Sequence, residues 1–202
     1  LGSGRTRLLH ELRTTLAAEK QEALLFSPPP KTVQELHNLL TRQYSLGADL
    51  GFRKSLARYI GNKPRDQQNL ILIFDDVELM EEETLLDLVQ FRNMLHNGQR
   101  VITLILCGLP ELNQRMAASE YDELTRDIVL NYELEPLNRK ELADFCAAAI
   151  QELELSIPMP GPRALDALLA ETGGLPGLVL ERLSMVVGEP EMAPEPAPLY
   201  SQ

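Results

Sequence analysis

Apolar positions along the chain change rhythm several times, and each rhythm predicts an element. Leu8, Leu9, Leu12 and Leu16 recur at helical spacing across residues 4–20, so the opening stretch LGSGRT runs straight into an amphipathic helix. ALLF at 23–26 is short, apolar and halted by a serine and three prolines, which predicts a buried strand ending in a turn. Thr32 and Glu35 have the spacing of a capping box for a helix through about residue 43, and a second helix is predicted over 50–60.

NLILIFDD at 69–76 is a continuous apolar run closed by two aspartates, the pattern of a strand buried on both faces of a parallel sheet. Residues 81–96 predict a helix with leucines at 85, 86, 88 and 95, and RVITLILCG at 100–108 predicts another doubly buried strand. PELNQRMAA, from residue 110, reads as a helix with proline in its first turn, and DIVLNYEL at 127–134 as a further strand. Helices over 139–154, 162–171 and 176–187 follow, the first capped by Asn138 with Glu141 and the second opened by Gly161-Pro162. The predicted organisation is an α/β core over 1–137, a helical unit over 138–188, and a Pro/Glu-rich linker or tail over 189–202 that leads on to further sequence.

Composition narrows the function classes. A net charge of -11 and a pI near 4.8 repel phosphate backbones, so no nucleic-acid partner is expected. Cys107 and Cys146 each sit in an apolar run, too far apart for a CxxC site, and read as buried free thiols in a reducing compartment. No run approaches the roughly 18 apolar residues of a membrane span, and no basic-then-apolar leader is present in this stretch. His10, His37 and His96 lack acid or cysteine partners at ligand spacing and are expected at the surface or at edges.

What remains is phosphate chemistry. A phosphate-binding loop uses glycines to wrap the phosphates, a helix N-terminus to aim amides at them, a lysine for the β and γ phosphates and a Ser/Thr for magnesium. Gly2, Ser3, Gly4, Arg5 and Thr6 supply the later part of that set with arginine in the lysine position, although GSG before a helix also occurs in plain turns. Asp75 is delivered to the C-terminal edge of a buried strand, where it can hold magnesium together with Thr6. Asp76 stands where an ATPase carries a water-polarising glutamate, one methylene short; two acids capping a turn is the competing reading.

The succession GSGRT, FDDVELMEEETL, ITLILCGLPEL, YELEPLNRKEL and GGLPGLVLERL resembles the AAA+ ATPases of the ExeA (general secretion pathway component A) type, over nearly the whole chain to about residue 187. The resemblance implies a P-loop NTPase three-layer core with a C-terminal helical lid, ATP or ADP with magnesium, and protein partners in the cell envelope. It also implies a cytoplasmic position at the inner face of a bacterial inner membrane, since relatives are often membrane-anchored and joined to peptidoglycan-binding or SPOR-type domains. In such sheets a central strand precedes the loop, so residues upstream of Leu1 are expected.

The departures from that pattern fall on functional positions. The family lysine is Arg5, its Asp-Glu pair is Asp75-Asp76, its glutamine after the strand glycine is Leu109, and its lid arginine is Gly177. Family arginines on the strand before the PL segment fall on Asp127 and Asn131, with Arg126 one residue away. Guanidinium is bulkier than ammonium in a tight loop, and each lost transition-state donor costs about 3 kcal/mol. The resulting expectation is a pseudo-ATPase scaffold, monomeric or dimeric rather than a ring, for secretion, division or peptidoglycan remodelling. An active ATPase of the same class and a DNA-transposition helper ATPase are the alternatives.

Overall fold

Strand β2 (Leu70–Phe74) is buried at every position and forms the centre of a three-stranded parallel sheet, between β1 (Glu22–Phe26) and β5 (Ile102–Leu106), in the computed structural model, which describes residues 2–47, 51–96, 98–126 and 128–188. Side chains alternate across a strand, so β2 serves two cores. Leu70, Leu72 and Phe74 pack with α2 (Val33–Tyr44), α3 (Phe52–Gly61) and α4 (Glu82–Arg92), whereas Ile71 and Ile73 meet Leu9, Leu12 and Leu16 of α1 (Arg5–Ala18). Helices therefore cover both faces, which is the three-layer arrangement expected of the α/β core.

The described residues fall into two compact units, one running Arg5–Glu133 and the other comprising 2–4 and 134–188. In the second, α7 (Arg139–Glu152), α8 (Pro162–Thr172) and α9 (Pro176–Gly188) surround Leu142, Cys146, Leu165, Val179 and Leu183. Asn138 makes the full capping box: its side chain accepts from the Lys140 and Glu141 amides at 3.0 and 3.1 Å, and Glu141 accepts from the Asn138 amide at 2.9 Å. The box at Thr32 is only half formed, because Glu35 accepts from the Lys31 amide instead of the cap's own.

Four expectations are corrected. Residues 128–134 form no strand, and Val129 and Leu130 are almost fully exposed; no segment among the described residues lies beside them to complete a ladder, while Asp127 lies outside those residues. Among the described residues β5 pairs only with β2, and it is not buried on both faces: Ile102 is buried, Thr103 exposed and the rest half-buried. Helix α4 stops at Arg92, and Leu95–His96 (β3) pairs antiparallel with Gln99–Arg100 (β4); the Asn97-Gly98 pair between them is a hairpin signal stronger than the helical spacing of Leu95. His37 does have an acid partner, Asp87 at 2.9 Å, and its ring stacks on Phe52 at 4.0 Å; Arg53 also pairs with Asp87.

Of the two free cysteines, Cys146 is buried and Cys107 only half-buried. No described helix is long and apolar enough to cross a membrane. The tail expected over 189–202 lies outside the described residues.

Two short helices, α5 (Glu111–Met116) and α6 (Asp122–Thr125), complete the first unit. Because β2 fills both cores, truncating it leaves a cavity that its neighbours cannot close. Leu72→Ala is expected to lower unfolding free energy by about 2–5 kcal/mol, read from urea denaturation of the whole chain.

Candidate functional site

The parallel register aligns the ends of the strands. Phe26 is level with Phe74, so Ser27 and Asp75 leave the sheet side by side, and the Asp75 amide still reaches the Phe26 carbonyl at 3.0 Å. Asp75 has no exposed surface. Its Oδ2 accepts hydrogen bonds from Thr6 Oγ1 at 2.6 Å and Ser27 Oγ at 3.1 Å, and its Oδ1 accepts from the Asp76 amide at 3.0 Å. A buried carboxylate is tolerable only when satisfied in this way.

Thr6 lies in the first turn of α1, directly after Arg5, so the helix N-terminus and the C-terminal edge of the sheet converge on one carboxylate. This is the position where the dipole and free amides of a helix favour anions and where open α/β sheets place ligands.

Asp76 differs from its neighbour in every respect. It adopts a left-handed conformation (φ 47°, ψ 49°) that opens the turn Val77–Leu79, and its side chain is 40% exposed. Arg5 Nη2 stands 3.4 Å from Asp76 Oδ1. Burial first, then the Asp75 and Glu78 carboxylates, raise the Asp76 carboxyl above its usual 3.8, and the Arg5 guanidinium offsets part of that rise. Nearby, burial and the Asp75 charge push the Cys107 thiol up, which keeps it protonated and poorly nucleophilic.

Gly2, Ser3 and Gly4 precede α1 and belong to the helical unit. Gly2 and Gly4 hold φ of +87° and +81°, and the Gly2 carbonyl accepts from the Gly177 amide at 2.6 Å. A Cβ on Gly177 would lie 2.7 Å from the Gly2 Cα, so the position of the family's lid arginine has no room for any side chain. At the position of the family glutamine, Leu109 offers only its amide, which donates to Glu78 Oε2 at 3.3 Å. Arg126 ends α6, its amide donating to the Asp122 carbonyl at 3.0 Å, and Asn131 lies in the unpaired stretch.

The donor set divides. Thr6 and Asp75 are the hydroxyl and carboxylate that a hard cation takes, and they are already adjacent; they fit magnesium. Arg5 and Asp76, which the sequence led one to expect beside phosphate and water, engage each other. Sequence reading did not single out Ser27 or Glu78. The signal for Ser27 was the end of ALLF matched against the end of LILIF, which carries information only once the two strands are known to pair in parallel.

Two expectations follow. Ionised Asp76 costs the folded state stability, a cost absent below the ordinary carboxyl value of 3.8 and growing as pH rises through its raised value. Asp76→Asn should therefore raise Tm at pH 7, and the gain should vanish below about pH 4 in a pH series of thermal melts. Gly177→Ala forces the Gly2 backbone to move and should cost about 1–3 kcal/mol in the same assay.

Residues 1–116 match the model of the AAA domain family. The chain is 23% identical over 185 residues to General secretion pathway protein A of Aeromonas hydrophila, covering 89% of this chain and 34% of that protein, so it spans about a third of the relative's length. Among solved structures it is similar to Cdc6p of Pyrobaculum aerophilum (15% identity, TM-score 0.49, 71% of this chain and 39% of that one). It is also similar to a RuvB mutant of Thermotoga maritima (15% identity, TM-score 0.44, 82% and 55%). With 116 of its 202 residues matched by the family model, the chain belongs to the AAA domain family, with an α/β P-loop core.

Proposed function

We propose that this chain is an AAA module that binds ATP or ADP with magnesium weakly, hydrolyses little or none of it, and acts as an interaction scaffold in a bacterial cell-envelope process such as secretion, division or peptidoglycan remodelling. The observation that carries the reading is the Arg5–Asp76 pair: the residues in the lysine and water-polarising positions are 3.4 Å apart and neutralise each other.

The pair is partly solvated, with side chains 16% and 40% exposed, so its strength is at most about 1 kcal/mol. Phosphates can compete for Arg5 against an interaction that weak. What Asp76 cannot supply is the reach of a glutamate toward a water, since its side chain is one methylene shorter. Gly2, Ser3 and Gly4 would cradle phosphate, and Thr6 and Asp75 would hold magnesium, which neutralises phosphate charge when bound. In this reading residues 1–137 are the nucleotide-binding core and 138–188 the lid.

The partners fit the relative named for the general secretion pathway, and the net charge of -11 suits basic protein surfaces better than nucleic acid. A position at the cytoplasmic face of the inner membrane and a monomeric or dimeric state complete the proposal.

The test is calorimetric titration with magnesium-ATP alongside a phosphate-release assay. Binding without turnover is expected for the natural sequence, and Arg5→Lys with Asp76→Glu should raise turnover at least about tenfold, since one restored electrostatic donor is worth about 3 kcal/mol. Sustained turnover by the unaltered chain, abolished by Asp75→Asn, would make it a working ATPase and overturn the scaffold reading.

A further inference from the structure

We infer that Ser27 is a positioning residue for the metal site, fixing Asp75 in register for magnesium independently of Thr6. The inference rests on the proposed magnesium–nucleotide reading of that site and adds a residue that belongs to neither the loop nor the two aspartates.

The geometry is specific. Two hydroxyls donate to one carboxylate oxygen, Thr6 at 2.6 Å and Ser27 at 3.1 Å, while the other oxygen is taken by the Asp76 amide. These donors come from three separate places: the first turn of α1, the end of β1 and the residue after Asp75 itself. Asp75 is fully buried, so its rotamer is set by these bonds rather than by water.

The two hydroxyls are not equivalent. Thr6 would have to offer its oxygen lone pairs to a cation as well as its proton to Oδ2, whereas Ser27 would have only Oδ2 to hold. Ser27 follows a strand in register with β2 and keeps Oδ2 where it was. A carboxylate locked by a second hydrogen bond loses less freedom when the metal site forms, and the apparent affinity for the metal rises accordingly.

The test uses the full chain and a fluorescent ATP analogue, titrated with magnesium at fixed nucleotide. In Ser27→Ala the magnesium midpoint is expected to rise about five- to tenfold, the effect of losing one hydrogen bond to a charged acceptor. Ser27→Thr, which keeps the hydroxyl, should restore it to within about twofold of the natural midpoint. Nucleotide affinity at saturating magnesium should stay unchanged, and Tm should fall by about a few degrees in Ser27→Ala, because the buried Asp75 carboxyl loses one of its three hydrogen bonds. An unchanged midpoint in Ser27→Ala, or a lowered Tm without a midpoint shift, overturns the positioning role while leaving the nucleotide reading intact. Magnesium-independent binding, or none, by the unaltered chain overturns that reading and the role of Ser27 with it.

Discussion

The buried carboxylate of Asp75 is the constraint around which the first unit is arranged. A carboxyl group with no exposed surface must find its hydrogen bonds inside the protein, and an unmet one is costly. Thr6, Ser27 and the Asp76 amide supply them, which ties the start of α1, the end of β1 and the turn after β2 to one point. The apolar run of β2 delivers that point. With Leu70, Leu72 and Phe74 committed to one core and Ile71 and Ile73 to the other, the strand cannot slip by one residue without exchanging its two faces.

One residue further on, the physics reverses. Asp76 is half solvated, sits in a left-handed conformation that aspartate tolerates better than most residues, and lies in a field of two other carboxylates relieved by Arg5. The adjacent acids thus have different surroundings: Asp75 is held by three hydrogen bonds, and Asp76 is engaged by Arg5. Gly177 carries a similar message in the helical unit. Its amide bonds the Gly2 carbonyl, and the closeness that makes this bond excludes a side chain there.

Much of this was legible in the sequence because it depends on neighbours in the chain. The amphipathic spacing of α1, the doubly buried run of LILIF, the capping box at Asn138 and the Gly161-Pro162 start of α8 are local patterns, and local backbone and solvent preferences decide them. That Thr6 and Asp75 lie together was legible too, since the loop before a helix and the acid at a strand end were both expected at one site. Their hydrogen bond to each other was not foreseen.

Other features depend on what lies across space. Whether Ile102–Leu106 is buried on both faces, and whether the apolar stretch 128–134 pairs at all, is fixed by what lies beside each segment, which apolar composition does not reveal. The bonds of Ser27 to Asp75 and of His37 to Asp87, separated by 48 and 50 residues, arise from strand register and helix packing. Sequence alone determined the helix α1, the doubly buried run of β2, the capped start of α7 and which residues carry charge at the strand end. Tertiary structure decided which of those charges are satisfied and by whom, because a hydrogen bond is set by distances of about 3 Å that sequence separation does not encode.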